Sequence, residues 1–153
     1  MSPTNAATVA ANLNITSVSG DPNAADTLSE GQFIAYAAVF GNVDTAGDVM
    51  APGAFTRTLQ QWADSGDSIP LLWGHNMDDP DFNVGHVVNA VEDDHGLRVT
   101  GQIDLDSPKG DQTLRLLRGR RVREMSFAFI ARDTEDAVVD GALARRVLDV
   151  DLI

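Results

Sequence analysis

Few residues in this chain could carry nucleophilic chemistry. Its 153 residues include no cysteine, which excludes thiolate catalysis, disulfides and cysteine-ligated zinc. Hydroxyls, carboxylates and three imidazoles remain, those of His75, His86 and His95. A neutral hydroxyl attacks poorly until a base takes its proton. Histidine, with an unperturbed pKa of about 6.5, can take that proton and return it to a leaving amine. Ser126 stands inside the apolar run EMSFAFIAR. Read as a strand, this run sends Met125, Phe127 and Phe129 to one side and Ser126 to the other, beside the small Ala128, where an imidazole and a peptide have room. His75 closes another apolar run, IPLLWGH. Taken singly, a serine in an apolar strand is more often a hydroxyl bonded to backbone, and a histidine after a strand is likewise more often structural. His86, in VGHVV, reads as a strand residue and His95 as a solvated turn residue.

Metal chemistry finds little support. The segment Asn42-x-Asp44-x-x-Gly47-Asp48 resembles part of a calcium loop. Counting from Asn42, however, puts Ala46 fifth and Gly53 twelfth, where oxygen ligands are required. The histidines have no H-E-x-x-H spacing. The segment reads as a tight connection built by Asp and Gly, and neither a metal nor a cofactor is expected.

Composition narrows the partners. With 23 acidic against 11 basic residues and a net charge of -12, the chain repels a phosphate backbone, so nucleic acid is not expected. A hydrophobic share of 43% with 22% charged residues is that of a folded globular protein, and this length fills one core. No apolar run approaches the roughly 20 residues of a membrane span. The opening MSPTNAATVAANLNITSVSG has neither a basic segment nor a continuous apolar stretch, so a soluble, unsecreted protein is expected.

The elements that must hold Ser126 and His75 follow from periodicity. Residues 1–30 show no sustained period and read as a loosely attached leader, with room for a short strand at Ile15 to Val18. Residues 31–153 read as the domain. FIAYAAVF is a strand that ends in the turn segment GNVDTAGD. Pro52 in a first turn, Phe55, Leu59 and Trp62 at helical spacing and Gly66 beyond predict an amphipathic helix. Three strands follow, IPLLWGH, VGHVVNAVED and LRVTGQIDL, the last two joined by a turn at Asp93-Asp94-His95-Gly96. A second helix is predicted with Ser107 as cap, Pro108 at its first position and Gly119 at its end. EMSFAFIAR then turns at Val139-Asp140-Gly141 into ARRVLDVDLI. Six or more strands around two helices predict an α+β fold, mainly an antiparallel β-barrel with flanking helices.

The ordered motifs FIAYAAVFGNVDTAGDVMAPGAF, IPLLWGHN, GLRVTGQIDLDSPKGDQTLRLLRGR and EMSFAF resemble those of the tailed-phage prohead protease family, over about residues 33–153. That family is similar in fold to herpesvirus assemblins, a barrel with flanking helices. The resemblance implies a serine endopeptidase with His75 as general base and Ser126 as nucleophile. It would work without cofactor on scaffold and major capsid proteins during head maturation. It implies residence inside the assembling prohead in the host cytoplasm, and cutting of its own chain; a homo-oligomer is left open. It also implies an acidic third member. A strand reading of ARRVLDVDLI puts Asp149 and Asp151 on one face. Asp151 is preferred narrowly, because it sits where the family commonly has Asp before leucine. Asp149 is next, and a C-terminally truncated chain would have the acid past Ile153. The rival reading is a catalytically silent module that binds capsid or scaffold protein on the same fold.

Overall fold

Alternating apolar residues sort the chain into two sheets. The computed structural model describes residues 5–6, 15–20, 28–44, 46–123, 125 and 127–153. In chain order the elements are β1 (Asn5–Ala6), β2 (Ile15–Val18), β3 (Gln32–Val39), β4 (Asp48–Met50), α1 (Thr56–Ser65), β5 (Pro70–Leu72), β6 (Asn83–Glu92), β7 (Gly96–Ile103), α2 (Gly110–Arg118), β8 (Ala128–Val139) and β9 (Ala142–Leu152). One sheet runs β2-β3-β7-β6-β5 and is antiparallel throughout. The other runs β1-β8-β9-β4, with β4 parallel to β9.

A closed barrel was expected, and none forms among the described residues. Each sheet keeps two edges, and an isolated bridge between Phe40 and Met50 runs beside β4. Short edge strands explain the difference: β5 has three residues and opens on Pro70, which has no N–H to offer a further strand. The two sheets instead share one core, in which Phe33, Leu97 and Val99 of the first pack in the same cluster as Phe129, Val147 and Val150 of the second. Ile15 and Val18 are buried in that cluster, so the core takes in β2, part of the segment read as a leader.

Local turn chemistry sets where each helix begins. Pro52 does not start α1. Ala54 N–H donates to the Ala51 carbonyl at 3.1 Å and Gly53 has φ +91°, so Ala51 to Ala54 form a turn with Pro second and a left-handed Gly third, the requirement of type II. The helix starts at Thr56 with no side-chain cap of its own. Glu92, from the end of β6, supplies one: its carboxylate accepts from Gly53 N–H and Phe55 N–H, both at 2.8 Å. A negative charge there also suits the positive end of the helix. Glu92→Ala is expected to cost about 1–2 kcal/mol, lowering the thermal midpoint by roughly 2–8 °C. Differential scanning calorimetry checks this, and an unchanged midpoint would show the cap to be idle.

The start of α2 moves in the same way. Ser107 does not cap it; its hydroxyl donates to the Asp104 carbonyl at 2.7 Å. Gly110 N–H bonds the Ser107 carbonyl at 3.2 Å, which makes Ser107 to Gly110 a turn with Pro108 second. Gly119 ends the helix as expected. The hairpins also follow the sequence. Asp140 and Gly141, at φ +52° and +81°, join β8 to β9 with Val139 opposite Ala142, as a two-residue primed turn requires. At the other hairpin the Asp93 side chain accepts from His95 N–H at 2.8 Å and Gly96 N–H at 3.0 Å.

Candidate active site

His75 sits where a strand gives out. After β5 the chain enters a single 3-10 turn, Trp73–His75, in which Gly74 has φ +63° and His75 φ +55°. Glycine adopts that region freely, whereas a histidine there is strained, and such strain collects at functional sites. The turn is held from both sides. Asn76 N–H donates to the Trp73 carbonyl at 3.3 Å, and the Asn76 side-chain oxygen accepts from Asp78 N–H and Asp79 N–H at 3.0 and 3.1 Å. The His75 side chain is exposed on this loop and lines an open cavity of about 490 Å³.

The same cavity is lined by the segment that leads into β8. Met125, Phe127 and Ala128 line it. Ser126 lies outside the described residues, as does Glu124; the strand expected over EMSFAFIAR begins only at Ala128, so Met125, Phe127 and Ala128 do not alternate between two sides and all line the cavity with His75. The Phe127 ring packs edge-on against Phe55 at 5.3 Å and lies 5.1 Å from Phe129. Two aromatic contacts thus anchor the segment.

The cavity runs inward over the five-stranded sheet, floored by Phe33, Leu71 and Val99. Sealed and empty, a hole of this size would cost on the order of 10 kcal/mol, about the stability of a whole domain. Opening to solvent, or occupation by an apolar group, removes that cost. Sequence reasoning had no signal for this space, since the residues on its floor read only as core.

The two acids on β9 have other partners. Asp149 accepts from the Arg57 Nε at 2.9 Å. Asp151 accepts from an Arg57 terminal nitrogen at 2.6 Å through one oxygen and from Arg132 at 2.5 Å through the other. Strand alternation explains this: Leu152 lines the cavity, so the neighbouring Asp151 points to the opposite side of β9, where α1 carries Arg57. The Arg57 bond, followed by that of Arg132, holds the Asp151 carboxyl below its ordinary value. Arg57 was not singled out in the sequence, although its spacing one turn before Gln61 puts it on the exposed face of α1.

The remaining candidates fall into structural places. His86 lies on β6 with Nδ1 3.7 Å from Asp104. His95 is exposed in its hairpin turn, edge-on to Tyr36 at 4.6 Å, and Tyr36 donates to Asp93 beside it. Asp44 accepts from Ala46 N–H and Asp48 N–H, both at 2.9 Å, so the stretch that resembled a calcium loop spends its first acid on a turn. Among the described residues no group of three or more metal-ligating side chains gathers.

Comparison with known proteins bears on family and fold. The prohead protease of Enterobacteria phage HK97 is 28% identical over 119 residues, which cover 77% of this chain and 51% of that protein. The chain therefore spans about half the length of the curated relative it matches. The structure of the bacteriophage T4 capsid assembly protease is similar with a TM-score of 0.53 at 10% identity, covering 99% of this chain and 91% of that one. That is a likeness of fold, an α+β arrangement of mostly antiparallel strands with two helices. Residues 20–153 match the model of the caudovirus prohead serine proteases, and the chain belongs to that family.

Proposed function

We propose that this chain is a serine endopeptidase that cuts scaffold or major capsid protein during phage head maturation, and cuts its own chain, without a cofactor. The observation that carries the reading is His75 on the wall of the cavity that both neighbours of Ser126 also line. In the reaction His75 takes the Ser126 hydroxyl proton as the oxygen adds to the scissile carbonyl. The imidazolium then gives that proton to the leaving amine, and water, activated by the same imidazole, releases the acyl group from Ser126. Kinship to the herpesvirus assemblins, implied by the sequence resemblance, belongs to the same reading. Treatment with a serine-directed fluorophosphonate, followed by mass mapping, tests it. Label on Ser126 is expected. A folded chain that takes no label would favour the silent capsid-binding module.

For the third member, sequence pattern and geometry part. The strand reading offered Asp151 first and Asp149 second as the acid that orients His75. Their pairing with Arg57 and Arg132 supports a different role for both, that of holding α1 against β9. On this reading Asp151→Asn leaves turnover within tenfold of wild type and lowers the thermal midpoint. A carboxyl depressed in the folded state contributes stability above its unfolded pKa of about 3.9, and that contribution is lost as the pH falls through the lower folded value. The stability curves of wild type and Asp151→Asn should therefore differ at neutral pH and converge in acid. A hundredfold loss of turnover in Asp151→Asn, with the midpoint unchanged, would return Asp151 to the catalytic unit. The same measurement on Asp149→Asn covers the second candidate.

A further inference from the structure

The apolar space beside His75 is larger than packing error leaves and has an apolar rim. Native cores hold few voids wider than a water molecule, yet this cavity measures about 490 Å³. A dry cavity of about 150 Å³ already accepts benzene. At its rim Trp73, Met77 and Ile153 are 37, 67 and 37% exposed, and all three line the space. Large apolar side chains left in water around one cavity mark a binding surface. Here that surface continues into the cavity, and it shares the loop that carries His75. Its floor is apolar too: Ala37, Val84 and Val87 join the residues already named.

We propose that this cavity is a specificity pocket that takes a bulky apolar side chain, of leucine or phenylalanine size, from the peptide being cut. The proposal rests on the serine protease reading above. Its occupant follows from the position of the pocket: a side chain seated between the His75 loop and the segment around Ser126 belongs to a residue close to the scissile bond. Binding energy gained there holds the carbonyl in reach of the nucleophile, the use to which remote contacts are put in catalysis. Acidic and amide side chains are disfavoured, because apart from His75 and Thr113 the lining side chains are apolar and desolvation would go largely uncompensated.

Two measurements on the full chain test this. In the first, a mixed peptide library is digested and the products are sequenced by mass spectrometry. Leu, Ile, Met or Phe should dominate at one fixed position relative to the cut, with replacement by Ala lowering kcat/KM about 100-fold. In the second, N-acetyl-phenylalaninamide is titrated into the labelled protein and backbone amide shifts are followed. The shifts should gather at cavity residues. Ala37→Leu fills the pocket from its floor and should weaken both effects at least tenfold while leaving the thermal midpoint unchanged or raised; Val87→Phe is the second variant should the first fail to fold. Cleavage with no apolar preference at any position, or shifts scattered away from the cavity, overturns the pocket while the protease reading stands. Shifts at the cavity with no peptide cut and no fluorophosphonate label leave the apolar-residue site standing and remove the protease reading.

Discussion

Ser126→Ala is expected to lower peptide hydrolysis by about 10⁴- to 10⁶-fold, the range seen when the nucleophile of a serine protease is removed. The thermal midpoint should stay close to that of wild type, since only one oxygen is lost. His75→Ala should fall to a similar residual rate. If Ser126 and His75 act as one unit, as proposed, the double variant should lose little more than either alone. Turnover of a cleavable peptide, measured for all four chains, gives the comparison directly. Intact-mass spectra after long incubation extend it to self-cutting, where wild type should fragment and Ser126→Ala should not. Losses that multiply in the double variant would mean that the two residues act separately, and wild-type cutting by Ser126→Ala would exclude it as nucleophile.

The largest expected effect on stability lies outside the cavity lining. Asp48 on β4 is buried, its side chain 5% exposed, and Arg145 on β9 grips it with two bonds of 2.8 Å. Removing one member of such a pair strands the other charge away from water. Arg145→Ala is therefore expected to cost about 2–4 kcal/mol, below the full range for a buried pair because the Arg145 side chain is 40% exposed. Chemical denaturation should show the midpoint shift at an unchanged slope. Asp48→Asn placed in the Arg145→Ala background should recover part of the loss, because the stranded charge is gone. Strict additivity of the two substitutions would show that the pair carries no coupling.

Much of this architecture could be read in the sequence wherever the deciding chemistry is local. Asp140 and Gly141 were legible as a hairpin turn because few residues other than Asn, Asp and Gly tolerate two successive positive φ values. Gly119 was legible as a helix end. The alternation read around Ser126 does not hold, since β8 starts only at Ala128 and Ala128 lines the cavity together with Met125 and Phe127. Pro52 and Pro108 were misread for a common reason: proline suits the first turn of a helix and the second position of a β-turn equally well. In each case the choice rests on a bond that closes across it, Ala54 to Ala51 and Gly110 to Ser107. The barrel was misjudged because sheet closure depends on which edges meet, and β4 finds β9 across 97 residues. Asp151 was placed on the correct face of its strand in relation to Asp149, but periodicity does not say what covers that face. Arg57 and α1 cover it.

The parallel pairing of β4 with β9 also bears on when this protein can become active. Contacts between distant parts of a chain are slow to form and must await synthesis of the later part. β8, which follows directly from the segment around Ser126, has β9 as its long antiparallel partner, and Val147, Val150 and Leu152 of β9 are buried in the common core. A nascent chain that has released residues 75 and 126 from the ribosome still lacks the strand with which β8 pairs. On the protease reading proposed above, cutting would wait until residues 142–152 have emerged and docked, so that translation itself would delay the first cleavage.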